Sequence, residues 1–235
     1  YDKHTALLRI PSFDDSQKHL IDSTIAANYD AISNTENLII DIRNNGGGSD
    51  RCFANILPII YTNPIRTIGA EFLSTELNNK RMEEFSNNLN FSEDERAWAK
   101  ESFAELNNHI GEYVLLDSAV VTTKTYDSVK ILPKSVAIII NQANASTAEQ
   151  FLLSAKQSKK VKLFGTPTAG VLDVSNIYLT LSPCKQYVLA YSLSKSKRIP
   201  DFAIDGKGIP PDYFIDKSIP QHRWIDFVIS TLTSK

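Results

Sequence analysis

The sequence predicts an α/β layered fold, and three observations predict it. Short, β-branched apolar runs recur along the chain: "TALLRI", "NLIIDIR", "SVAIII" and "VKLFG". They are too short to be helices and have the composition of buried strands. Between them, apolar residues return at helical spacing, and the junctions are rich in Gly, Asn and Ser. Repeated strand–helix–strand units of this kind build a sheet covered by helices.

Taken in order, "TALLRI" is a strand closed by Pro11 and the Ser12-Phe13-Asp14-Asp15 turn. Residues 16–34 are expected to be helical, with Leu20, Ile21, Ile25, Tyr29 and Ile32 on the buried face. "NLIIDIR" is the next strand, followed by the mobile-looking "NNGGGSD". Ser49 or Asp50 would cap a helix carrying Phe53, Ile56, Leu57 and Ile60, ended by Pro64. The stretch at about 71–131 is polar and rich in Asn and Glu. It holds the amphipathic helix "SEDERAWAKESFAELNNHI", with Ser92 as N-cap and Glu95 completing a capping box. It reads as a helical insertion, because its apolar content is thin for a core of its own. "EYVLLDSAVVTT" is a strand or hairpin arm, and "SVAIII" a buried strand leading into a helix over 146–158. "VKLFG", "IYLTLS" and "QYVLAYSLS" are strands, and "HRWIDFVISTLT" is a closing helix. The domain expectation is one domain over 1–235 with that insertion.

Composition narrows the function classes. The 235 residues are 42% hydrophobic and 22% charged, with net charge −2 and four scattered histidines. A chain of this length buries roughly 70–75% of its unfolded surface, so no metal or disulfide is needed for folding. No basic face is present for nucleic acid. No apolar run approaches the ~20 residues of a transmembrane span, and "YDKHTALLRI" has no signal-peptide core. Cys52 and Cys184 fit no metal or redox spacing. No cofactor is expected, since neither a Walker lysine pattern nor GxGxxG occurs.

Two stretches carry chemistry. In "VAIIINQANASTAEQF", Ser146 stands where a strand gives way to a helix, beside amides with no intrahelical partner and the positive end of the helix dipole. There it can be an N-cap, with Glu149 completing a capping box, or a nucleophile beside an oxyanion site. In "DIRNNGGGSD", three successive glycines free the backbone to present amides at close range. A tight turn rarely needs three.

Together with "ALLRIPSF", "FGTPTAG" and "IDGKGIPPDYFI", these stretches follow the order and spacing of the C-terminal processing peptidases, or tail-specific proteases. The chain resembles these serine peptidases, whose relatives include the tricorn core protease and interphotoreceptor retinoid-binding protein. The resemblance covers most of the chain apart from the insertion, and implies a Clp-protease/crotonase-like fold. It places Ser146 on the nucleophile, in Ser146-Thr147-Ala148-Glu149. It implies an oxyanion hole from the Thr147 amide and a glycine amide of the Gly46-Gly47-Gly48 loop, with Gly46 and Gly47 the candidates. Glu149 is a supporting residue. Asp41 and Arg43 match the family's D-L-R and read as structural charges that hold the loop.

The base is where the sequence departs from the family. Processing peptidases place a lysine after T-[FY]-G, and here Thr168-Ala169-Gly170 is followed by Val171. The tricorn-like branch uses a histidine of the first strand. The matching strand offers Arg9, which stays protonated, and His4 lies at its outer end. Asp173 is the candidate stand-in, against a plain role in a turn with Asn176. Lys195, Lys197 and Arg198 are further candidates on a stretch that reads as a solvated loop. Lys207 reads as structural, and His19, His109 and His222 form no metal spacing.

The resemblance therefore implies a serine peptidase acting on peptides or unstructured protein tails, in a bacterial protein exported to the periplasm or cell surface. No PDZ-like stretch is present, and the insertion would act as a lid or exosite. The rival is a degenerate member that binds a peptide or apolar ligand without cleaving it. Crotonase-type acyl-CoA chemistry shares the fold but not the motifs.

Overall fold

The structure, a computed structural model, describes residues 3–233. The strands are β1 (Thr5–Arg9), β2 (Asn37–Asp41), β3 (Ile65–Ile68), β4 (Ala70–Leu73), β5 (Tyr113–Leu115), β6 (Val121–Lys124), β7 (Ser135–Ile140), β8 (Val161–Gly165), β9 (Val174–Leu181), β10 (Val188–Ser196) and β11 (Tyr213–Phe214). The helices are α1 (Lys18–Ala27), α2 (Tyr29–Ser33), α3 (Leu57–Ile60), α4 (Glu76–Ser86), α5 (Glu93–Asn107), α6 (Thr147–Ala155) and α7 (Trp224–Thr233). The chain divides into two compact units, Tyr1–Arg66 with Thr123–Leu172 and Ile204–Lys235, and Thr67–Thr122 with Asp173–Ala203.

The first unit is built on a five-stranded sheet in the order β1-β2-β7-β8-β11. Every adjacent pair is parallel. Such a sheet is covered on both faces, which explains why its strands are continuous apolar runs rather than alternating ones. Leu38 to Ile40 and Val136 to Ile140 are all buried. One face packs Ile40, Ile138 and Leu163 against Ile21, Ile25 and Phe151. The other packs Ile39, Ala137, Ile139 and Phe164 against Trp224 and Val228 of α7. Of the face expected on residues 16–34, Ile21, Ile25 and Ile32 are buried, whereas Leu20 and Tyr29 are exposed. A break at Asn28 between α1 and α2 shifts the register there. The helix expected after the glycine loop is two short pieces, a 3-10 turn at Asp50–Phe53 and α3. Its expected cap, Ser49, makes no side-chain cap hydrogen bond.

The second unit is a four-stranded antiparallel sheet, β5-β4-β10-β9, with α4 and α5. The stretch expected as a coreless insertion at 71–131 has a small core: Met82, Leu106 and Val114, flanked by Phe72, Phe85 and Phe103. It does not stand alone. β4 lies between β5 and β10, with Phe72 opposite Ser194, so the insertion needs the later hairpin to complete its sheet. Ser92 caps α5 with Glu95 completing the capping box.

Candidate active site

In a parallel sheet the loops that carry chemistry leave the carboxyl ends of the strands. Three such loops meet in the first unit: 42–49 after β2, 141–146 after β7 and 166–171 after β8. Four asparagines fasten the first two. Asn144, fully buried, donates through Nδ2 to Ile42 O (2.5 Å) and Asn45 O (3.2 Å), and accepts from Asn141 N (2.7 Å). Asn141 and Asn44 exchange two hydrogen bonds, at 3.1 and 2.8 Å. Asn45, also fully buried, accepts at Oδ1 from Phe13 N (3.2 Å) and Gly47 N (3.0 Å) and donates to Ile10 O (3.1 Å). Buried amide side chains of this kind satisfy backbone groups that no sheet ladder reaches.

Ser146 heads α6 with φ 55° and ψ −125°. A positive φ is strained for a residue with a Cβ, by about 1–3 kcal/mol, and persists only where surrounding contacts enforce it. Those contacts are visible. Ser146 N–H donates to Val171 O (3.0 Å) and to Glu149 Oε2 (3.2 Å). The Glu149 carboxylate is fully buried and also accepts from Thr168 Oγ1 (2.5 Å), Gly170 N (2.7 Å) and Val171 N (2.9 Å). Ser146 and Glu149 thus occupy capping-box positions. Yet the Ser146 backbone has a positive φ, and Glu149 N–H donates to the Ser146 carbonyl (2.8 Å). The carboxylate is the hub.

The glycine loop lies directly against the serine. Gly47 has φ +102°, and a Cβ there would stand 2.8 Å from Ala145 O and 2.9 Å from both Ser146 Cβ and Thr147 N. Only glycine fits such an approach. Its amide, expected as an oxyanion donor, is committed to Asn45 Oδ1. The Gly46 and Thr147 amides donate to no protein acceptor among the described residues. Thr147 Oγ1 lies 2.9 Å from Gly48 O, to which it donates. Gly48 itself is fixed on Phe13, where a Cβ would meet the carbonyl oxygen at 2.1 Å.

Asp41 and Arg43 are buried and form a two-pronged pair, with Nε at 2.9 Å from Oδ1 and Nη2 at 2.7 Å from Oδ2. Arg43 also reaches Gln221 O and lies 5.5 Å from the Trp224 ring centroid, tying the β2 loop to α7. Paired charges this well satisfied position a loop and leave no free group for proton transfer.

The base candidates have partners of their own. Asp173 belongs to the second unit, where it is fully buried and its Oδ1 accepts from Arg198 Nε at 2.8 Å. That corrects the reading of "SKSKRIPD" as a solvated loop, since Arg198 is buried too. Lys195 and Lys197 both pair with Glu71, at 3.0 and 2.9 Å. His4 sits before β1 beside Glu36, at the amino ends of the strands and so across the sheet from the serine loops. His109 lies between Glu105 and Glu112. Among the described residues no group of side chains could hold a metal. Val171 is half exposed, with its backbone bonded to Ser146 and Glu149.

Two contributors escaped the sequence reading. Thr168 links Glu149 to the backbone at Ile209, whose N–H donates to its Oγ1 (2.7 Å). Asp50, considered only as a cap, stands near the Thr147 side chain, and desolvation pushes its pKa up. The nearby Cys52 is buried and its thiol is pushed up to about 11, chiefly by burial, which leaves it no nucleophile.

The profile of Peptidase family S41 matches residues 4–215. The chain belongs to this family. Family S41 is a serine peptidase class that includes the C-terminal processing peptidases, so the domain is serine protease-like. Mature CPAF, solved in complex with lactacystin, superposes with a TM-score of 0.63 at 17% identity, over 97% of this chain and 50% of that one. A peptidase from Parabacteroides merdae gives 0.61 at 16% identity, over 100% and 63%. The photosystem II D1 C-terminal processing protease gives 0.52 at 15% identity, over 92% and 44%. At these identities the likeness is one of fold, and the chain spans between 44% and 63% of those structures' lengths. A search of curated protein sequences found no match. Among the described residues, no helix is long and apolar enough to cross a membrane.

Proposed function

We propose that this S41 domain is a serine-type peptidase that cleaves peptides or unstructured protein tails through Ser146. The observation that carries the reading is the strained Ser146 backbone, held by Val171 and Glu149 beside the glycine loop. A helix cap requires neither the strain nor a buried carboxylate hub. An extended peptide would lie with its scissile carbonyl oxygen on the Thr147 and Gly46 amides, the donors for the developing charge. Ser146 Oγ attacks the carbonyl carbon, the amine leaves with a proton, and water hydrolyses the acyl-enzyme. What supports export to the periplasm or cell surface as the setting is the resemblance to processing peptidases alone.

A second reading has its own observation. The position that carries the lysine in processing peptidases is Val171, and Asp173 is bound to Arg198. A domain that binds peptides without turnover would show both. Fluorophosphonate labelling decides between them. Labelling of the parent that disappears in Ser146→Ala supports the peptidase. A parent that takes no label and turns over no unstructured peptide supports binding alone.

A further inference from the structure

Strand β9 ends the sheet of the second unit. The order is β5-β4-β10-β9, so one edge of β9 is paired with β10 and the other with no described strand. Proteins guard such edges with proline, with charged side chains or by keeping the strand very short. β9 does none of these: it runs for eight residues, "VSNIYLTL", without a charge or a proline. Asn176, at φ 59°, interrupts its start and leaves residues 177–181 as the regular part of the edge.

The two faces of the β9–β10 hairpin differ. Tyr178 and Tyr191, opposite each other, hydrogen-bond Glu84 (2.9 Å) and Asn78 (3.1 Å) of α4, and Arg81 of the same helix reaches Ile177 O at 2.7 Å. Helix α4 therefore covers that face. The other face carries Ile177, Leu179 and Leu181, with Ser192, Ala190 and Val188 across from them. Ile177, Leu179, Leu181 and Val188 are 62, 63, 58 and 62% exposed. Together they present about 150–300 Å² of apolar surface. A stable interface buries about 500–800 Å² per partner, so this row is too small to hold an occupant alone. The occupant must also complete the backbone ladder along the open edge, which only another extended strand can do.

The strand that matches is β9 itself. Antiparallel self-pairing about Leu179, the middle of the regular run, sets Leu179 opposite Leu179 and Ile177 opposite Leu181. The two-residue period keeps all of them on the bare face. Two uncharged strands meet without like-charge repulsion, whereas a charged partner strand would find no counter-charge on β9. We propose that two copies of this chain pair through β9, antiparallel about a two-fold axis at Leu179, and so join their second-unit sheets. The contact is small, below about 1,200 Å² in total, and the dimer is correspondingly a weak one with micromolar affinity.

Sedimentation velocity across the micromolar range tests this. The parent should pass from monomer to dimer with concentration and go no further, because a two-fold pairing uses up both edges. Leu179→Lys sets like charges face to face at the axis and should weaken the dimer about tenfold or more. Leu189→Lys puts the same charge on β10, an inner strand, and should leave the dimer unchanged. Both side chains are exposed, so both variants should melt with the parent. A parent that stays monomeric, a parent that grows into larger assemblies, or equal weakening by the two variants overturns the proposal. The register has its own test. In a Cys184→Ser background, Leu179→Cys should give a covalent dimer on mild oxidation, since residues opposite each other in an antiparallel pair lie about 4.5–5.5 Å apart at Cα, within disulfide reach. Leu181→Cys should not, because the residue opposite it is Ile177. The reverse outcome overturns pairing about Leu179.

Discussion

Val171 and Ser146 are joined through their backbones: Ser146 N–H donates to the Val171 carbonyl at 3.0 Å, while Val171 N–H ends on the Glu149 that also receives Ser146 N–H. Val171 is therefore a direct neighbour of the serine, with an apolar side chain and no amine.

Val171→Lys is accordingly expected to raise fluorophosphonate labelling and peptide turnover by about tenfold or more, the low end of what a positioned general base contributes. The gain should grow with pH as the amine loses its proton. Val171→Met, of similar length without the amine, should leave the rate at the parent level. Equal rates in the lysine and methionine variants would show that proton transfer is not what limits this site.

Glu149→Gln places an amide donor among four donors. Repulsion and lost charge-assisted bonds should cost about 3 kcal/mol in denaturant unfolding. Labelling of Ser146 should be lost even under conditions where the variant remains folded, because the clamp that enforces the serine's backbone is gone. A variant that keeps both stability and labelling would remove Glu149 from the role of hub.

Asp173→Asn leaves Arg198 buried without its counter-charge, at a cost of about 3–5 kcal/mol. Labelling per folded molecule should stay at the parent rate, as it would for an ion pair that supports the second unit. A rate that collapses while the fold survives would return Asp173 to the role of base.

The raised pKa of Asp50 also fixes a sign for stability. The folded state holds the Asp50 proton more tightly than the unfolded chain does. Its contribution is fully present below the ordinary aspartate value and is lost as pH rises through the higher folded value. Asp50→Asn should therefore melt above the parent at neutral pH, and the gap should close in acid. Thermal melts between pH 3 and 8 check this; a constant gap would mean that Asp50 titrates normally.

The parallel sheet was legible because its strands are buried on both faces and so appear as unbroken apolar runs. The serine and the glycine loop were legible too, since each shows an unusual composition at a strand end. The second unit was not. β4 and β5 gain their place from β10, a pairing that local sequence does not encode, and the thin core of 71–131 looked insufficient without it. Tyr29 lost burial where the helix broke at Asn28, and Leu20, next to Ile21 on α1, falls off the buried face of that helix. In the site, the asparagines of "INQANAS" read as filler around a possible cap. Their function as cross-loop fasteners depends on contacts with Ile42, Asn44 and Asn45, far away in sequence.

The pairing of β2 with β7 joins the first half of the chain to the second, and β7 must then find β8 before the 166–171 loop can reach Ser146. Contacts so distant in sequence form late, after the cost of closing long loops has been met. A ribosome that has released only the first half of this chain has therefore made a glycine loop with nothing to face. Ser146 takes up its strained backbone only when the sheet is nearly assembled, because the Val171 carbonyl that holds it arrives with the loop after β8.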